Sequence, residues 1–415
     1  MGPISRAERS NGEPMSVRHA AAERGRAGAT APTARPAHTA RRVRPARRGA
    51  PVLAATLALP LVAAACTPGP DSDAPVYPGA DWARRDAAEA GFDPAILEDI
   101  AAEAEANDSA CLVVTRHGRI VADWYWNGTN ADSTQEVFSV TKSFTSTLVG
   151  LAQADGDLAL DDSASEYVPA WADTPAAAVT VEDLISNDSG RHWDLQTDYL
   201  GLTSATNRTA FAVGLGQDAA PGQVWAYNNA AVQTLDDVLS GATGQEPAAM
   251  AAERLLGPLG MADSRMTTDG AGNTNTYFGL RSSCQDLARF GYLFLRDGRW
   301  EDDQVVPADW VEAATGAPSQ AINAGYGYLW WINEEGPITG PLDPTTLEQA
   351  ATAPHRRVVP TAPADMYRAQ GLGGQVVQVD TGSDTVVVRL GPGTAGTPYG
   401  MAHTSRVVTE ALVDP

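Results

Sequence analysis

Thirteen consecutive residues from Val137 to Val149 contain one charge, Lys142, and otherwise read as the opening of a buried helix. Apolar sequence on both sides argues against a solvent-facing ammonium. Ser139 stands three residues earlier, so its hydroxyl and the lysine amine leave the same helical face. The chain holds 29 basic residues, and because Lys142 is the only lysine, the other 28 are arginine. A guanidinium stays protonated at any working pH, whereas a buried amine can give up its proton and serve as a base. A serine cap beside a surface cation is the plain alternative for S-x-x-K. The flanking apolar run and the lack of any other lysine both speak against it.

At 415 residues the chain has room for a large core in one or two domains. Its net charge of −22 is unevenly placed: residues 1–66 hold eleven arginines against three acids, net +8, which leaves −30 for the remainder. A body that acidic is a poor partner for nucleic acid or an anionic membrane surface. Residues 1–66 read as an export segment. An Arg/Ala/Pro-rich lead precedes an apolar run from Ala50 to Ala65, too short and too broken by proline to span a membrane and suited to a signal sequence. It ends at Ala63-Ala64-Ala65-Cys66, and Cys66 resembles the lipid-attachment cysteine of bacterial lipoproteins, with Ala63 where leucine is usual. The expected product is exported, held to the membrane by a lipid anchor or, with a plain signal peptide, secreted. Residues 67–78 form a Pro/Gly/Asp-rich tether. Cys111 and Cys284 remain, and a bridge or two separately buried thiols both fit an oxidising compartment. The six histidines are scattered and no H-E-x-x-H occurs, so neither a metal nor an organic cofactor is expected.

From residue 79 to 415 the pattern is that of an α+β domain. Asp93 and Pro94 open an amphipathic helix to Glu105. Ala110 to Thr115 and Ile120 to Trp126 form a β-hairpin apolar enough for a central sheet. The Ser139 helix runs to Asp155 and stops at Gly156. Residues 157–275 change to helical pieces between loops, with a Thr180–Asp183 capping box and an irregular stretch from Leu195 to Asp218 that suggests a lid or binding loop. Helices are expected over Ala230–Leu239, Pro247–Leu256 and Ser282–Leu295, strands over Trp330–Ile332, Gln375–Val379 and Thr385–Leu390, and a last helix over Gly400–Leu412.

Three motifs, Ser139-Val140-Thr141-Lys142, Tyr227-Asn228-Asn229 and the glycine strand Gln370-Gly371-Leu372-Gly373-Gly374, together resemble the serine β-lactamase and penicillin-binding-protein superfamily, most closely its class-C-like esterases and 6-aminohexanoate-dimer hydrolases. The resemblance covers about residues 80–415 and implies an antiparallel sheet flanked by helices, with an inserted helical region. It also implies a serine hydrolase that cleaves a small-molecule ester or amide through an acyl-enzyme. Ser139 would be the nucleophile, and Lys142 or Tyr227 its base, the choice open at this point. Asn229 would hold the lysine and the substrate, and the amides of Ser139 and Leu372, among Gly371 and Gly373, would form the oxyanion hole.

This chain departs from the superfamily at Ala369-Gln370-Gly371, where β-lactamases and peptidases place a Lys or His followed by Thr and Gly. No cation there grips a carboxylate, and Arg368 lies on the opposite strand parity, which favours neutral esters and amides over penicillins. His192, Trp193, Tyr199 and Trp225 are candidate pocket residues. The rival readings are a D,D-carboxypeptidase or β-lactamase, and a non-catalytic envelope binding protein of the same fold.

Overall fold

The computed structural model describes residues 75–393 and 399–413, all in the second of the chain's two units, Pro68–Pro415. The expectations for the export segment, Cys66 and the tether up to residue 74 fall outside the described residues.

Helix α1, Pro94–Ala106, begins where the Asp93 carboxylate accepts the amides of Ala95 at 2.9 Å and Ile96 at 3.4 Å. Strands β1, Cys111–Arg116, and β2, Arg119–Tyr125, follow as a hairpin whose turn places His117 and Gly118 at φ 50° and 74°. Helix α2, Val140–Asp155, ends at Gly156 with φ 79°, the left-handed conformation that glycine adopts without strain. Next come α3, Asn229–Gln233, α4, Leu235–Thr243, and α5, Cys284–Leu295. The chain then forms β3, Tyr367–Gly371, β4, Gln375–Asp380, and β5, Thr385–Leu390.

These strands form one antiparallel sheet in the order β3-β4-β5-β1-β2, with Cys111 opposite Leu390. Strands β1, β4 and β5 are buried at all six positions because helices cover both faces. Side-chain alternation divides the core accordingly. Leu112, Val114 and Val387 join Leu97 and Ile100 of α1 on one face, while Val113, Val377 and Val388 join residues of α2 and α5 on the other. Gly291 lets α5 lie close on the sheet, since a Cβ there would come within 2.6 Å of Val386 and 3.0 Å of Val377. A Cys111–Cys284 disulfide ties β1 to the start of α5, with the Cα atoms 6.5 Å apart.

Several expected elements differ. Leu195–Asp218 is built of helical turns over Gln196–Gly201, Leu202–Ser204 and Arg208–Val213, not a loop. Side-chain caps such as Asn207, which accepts the Ala210 amide at 2.7 Å, hold pieces too short to show a period. The helix expected over Ala230–Leu239 begins at Asn229 and is divided at Thr234. Trp330–Ile332 is not a strand. Leu329 turns the backbone at φ 59°, and single bridges to Tyr326 and Arg368 are all that Trp331 makes. The last helix is split into Met401–Thr404 and Val407–Ala411.

Candidate active site

The chain enters α2 through a tight bend in which Phe138 takes φ 49° and Ser139 precedes the first helical residue. Glu136 pins that bend by accepting the amides of Phe138 at 3.2 Å and Gly279 at 2.7 Å. The Ser139 hydroxyl makes no capping hydrogen bond, so it is not the helix cap of the plain alternative.

Lys142 is only 1% exposed, and its Nζ lies against three oxygens: Ser139 Oγ at 2.9 Å, Asn229 Oδ1 at 2.6 Å and the Tyr277 carbonyl at 2.9 Å. Burial pushes its pKa down to about 7, against the opposing pull of the Asp198 carboxylate. Asn229 is free to meet the lysine because its neighbour caps α3: Asn228 Oδ1 accepts the Ala231 amide at 2.8 Å.

Asp198 joins this cluster with no motif in the sequence to mark it. Its carboxylate accepts from Asn229 Nδ2 at 2.7 Å, from the Asn229 amide at 3.2 Å and from the Ala230 amide at 2.8 Å. With Nδ2 engaged there, the amide can only turn its oxygen to Lys142. Burial raises the Asp198 pKa, while the three donors and the lysine charge favour its anion. An acid in a stretch without periodicity gave no sign of burial; its position just before Tyr199 was the only available hint.

Tyr227 is buried, stacks on Trp331 at 5.7 Å between ring centroids, and has Lys142 Nζ 4.7 Å from its own centroid. Its hydroxyl interacts with Ser139, and burial raises the phenol far above its ordinary pKa, so it is protonated at neutral pH. The three groups expected to act together therefore do converge.

The end of β3 passes close to the serine. A Cβ on Gly371 would fall 2.3 Å from the Val137 carbonyl and 3.2 Å from the Ser139 amide, which requires glycine. Leu372 lies in the turn after β3, not on the strand edge as expected, and is 43% exposed. Gly373 and Gly374 make that turn at φ 78° and 74°. Behind it, Arg389 donates to the carbonyls of Gly373 at 2.6 Å, Gly374 at 3.1 Å and Asn107 at 3.0 Å, and to Ser109 Oγ at 2.8 Å.

A cavity of about 420 Å³ opens over Ser139, walled by Tyr199, Tyr227, Trp331, Gln370 and the Gly371–Gly374 turn. Of the other aromatic candidates, Trp193 instead supports the site from behind, its indole donating to the Tyr227 carbonyl at 3.1 Å. Trp225 is fully buried in the core, and His192 is bound between Asp194 at 3.0 Å and Asp218 at 2.8 Å. Arg368 is fully buried and is not among the residues walling the cavity, in keeping with its strand parity.

The sequence profile of the family described as Beta-lactamase matches residues 97–407. A 6-aminohexanoate-dimer hydrolase of Paenarthrobacter ureafaciens is 25% identical over 274 residues, which are 59% of this chain and 70% of that protein. Among solved structures, a class C beta-lactamase in complex with cefoxitin aligns with a TM-score of 0.55 at 17% identity, over 73% of this chain and 94% of that one. A beta-lactamase/D-alanine carboxypeptidase from Pseudomonas syringae aligns with a TM-score of 0.53 at 16% identity, over 73% and 95%. At such identity the structural likeness shows the fold.

Proposed function

Because the chain belongs to the Beta-lactamase family, we propose that it is a serine hydrolase that cleaves an ester or a linear amide through an acyl-enzyme on Ser139. The observation that carries this is the set of partners around Lys142. A neutral amine has two N–H donors and one lone pair. The Asn229 and Tyr277 oxygens can only accept, so they take both donors and leave the lone pair facing Ser139 Oγ. Lys142 is thus the base for acylation, a role worth roughly 10²–10⁴-fold in rate. Tyr227, kept as a phenol, is suited to protonate the departing alcohol or amine.

In the first step Oγ bonds to the substrate carbonyl carbon while its proton passes to Lys142 Nζ. The resulting oxyanion is received by the amides of Ser139 and Leu372, and the bond to the leaving group breaks as that group takes a proton from Tyr227, which Lys142 replaces with the one it took from Ser139. Water then attacks the acyl carbonyl carbon as its proton passes to Lys142, and the acid departs as that proton returns to Ser139 Oγ. The name of the Paenarthrobacter relative supports including linear amides among the candidate substrates. Ala369, at the strand position where β-lactamases carry a Lys or His, brings no cation to this wall, which supports ranking penicillins below them.

The test is a fluorophosphonate probe with mass spectrometry, together with turnover of nitrophenyl esters, linear amides and a chromogenic cephalosporin. Label on Ser139 and ester or amide hydrolysis lost in Ser139→Ala is the expected result. Cephalosporin turnover alone selects the β-lactamase reading, and no label at all selects an idle binding protein.

Export, with Cys66 lipidated, is proposed on the sequence of the first 66 residues, and the Cys111–Cys284 disulfide supports an oxidising compartment.

A further inference from the structure

The cavity over Ser139 does not end at Trp331. A second hollow, of about 410 Å³, shares Trp331, Pro341, Val358, Gln370 and Met401 with it and is walled at its far side by Arg356 and Arg357. The two hollows adjoin along these shared residues, among them Trp331, whose ring stacks on Tyr227. Its charge is opposite to that of the chain. Residues beyond 66 carry a net −30, yet no aspartate or glutamate is among the described residues that wall either hollow. Among the described residues no ion pair takes up Arg356 or Arg357, and Arg357 Nε is buried without a hydrogen-bond partner. The backbone here is fixed, because His355 and Arg356 pair with Pro337 and Gly336 in a short two-stranded ribbon.

Arg356, exposed and paired in the ribbon, and the half-buried Arg357 that follows it, with its unpartnered Nε and a carboxylate-free wall, suit a planar anion that can accept from more than one N–H. We propose that Arg356 and Arg357 form an anion subsite that receives a carboxylate of the substrate, so that the preferred esters or amides carry a free carboxylate remote from the scissile bond. This rests on the hydrolase reading and narrows its substrate class. It departs from the expectation of a neutral substrate. The absence of a cation beside Gln370 concerns β3, whereas Arg356 and Arg357 belong to the separate segment 355–360.

The experiment compares isosteric pairs, each differing only in a terminal carboxylate or carboxamide. Nitrophenyl hydrogen adipate against nitrophenyl adipamate puts the group on the acyl side. An N-hexanoyl amino acid against its carboxamide puts it on the leaving side. The ratio of kcat/KM, acid over amide, is read within each protein, so any change in the amount of folded enzyme cancels. For the native chain a ratio of about tenfold or more is expected in at least one pair. It should fall to near one in Arg356→Gln/Arg357→Gln and be partly kept in Arg356→Lys/Arg357→Lys. A native ratio near one in both pairs, or a ratio unchanged in the glutamine variant, overturns the subsite while leaving the hydrolase reading intact. No turnover of any of the four compounds, with no fluorophosphonate label on Ser139, overturns the hydrolase reading first and the subsite with it.

Discussion

Two basic side chains, Lys142 and Arg389, are buried near the proposed nucleophile Ser139, and the structure treats them oppositely. Lys142, in the floor, faces two oxygens that can only accept and one hydroxyl that can also donate. Arg389, behind the glycine turn, faces three carbonyls and a serine hydroxyl, which its several N–H groups can satisfy together while it stays charged. Burial lowers the pKa of both, Lys142 to about 7 and Arg389 to about 10. At neutral pH the same desolvation therefore leaves the guanidinium protonated and about half of the amine neutral. The lesson is one of division: the side chain proposed to move a proton is a lysine, and the cation that holds backbone is an arginine.

Exchanging the first should have the largest effect. Lys142→Arg puts a permanent charge beside Ser139, and kcat/KM on the best ester should fall by roughly 10³-fold or more, the range expected for loss of a general base. Steady-state kinetics with active-site titration checks it. Next is the anion that aims the asparagine. Asp198→Asn removes the charge and replaces one of the two oxygens that accept from Asn229 and Ala230 by an NH2 group, so kcat/KM should fall by roughly 10–100-fold, as for loss of an outer partner that orients a functional group. Its pH profile carries the sharper signal. The Asp198 charge raises the Lys142 pKa, so its removal lowers that pKa, and the acid limb of kcat/KM should move to lower pH. A merely structural role for Asp198 would reduce the rate without moving the limb. The smallest kinetic effect is expected at the holding cation. Arg389→Gln leaves the Gly373, Gly374 and Asn107 carbonyls short of donors and should cost about 3 kcal/mol in urea unfolding, on the scale of unmet buried hydrogen bonds, with a loss of less than about tenfold in turnover.

How much of this could be read from sequence follows from what each feature depends on. The Ser139–Lys142 pair was legible because both residues lie on one helix three positions apart, and the hairpin and last two strands because period-2 alternation and turn residues are local signals. Tyr227 and Asn229 came from motif likeness. Asp198 was not legible, since its role arises from contacts 31 residues away across short helical turns with no period of their own. Trp331 was misread as strand because an apolar aromatic run does not reveal that Leu329 turns the backbone. Arg356 and Arg357 belong to no motif in the sequence; only the shared walls of two hollows connect them with the serine.

The account depends most on the charge state of one amine, and the chain allows it to be observed directly. Lys142 is the only lysine, so protein labelled with ¹³C at lysine Cε gives one lysine resonance to follow. That resonance should titrate with a midpoint near pH 7 in the folded enzyme and return to the ordinary lysine range on unfolding. A folded-state midpoint at or above pH 9.5 would contradict it, because the amine would then be an ammonium at working pH and unable to take the Ser139 proton.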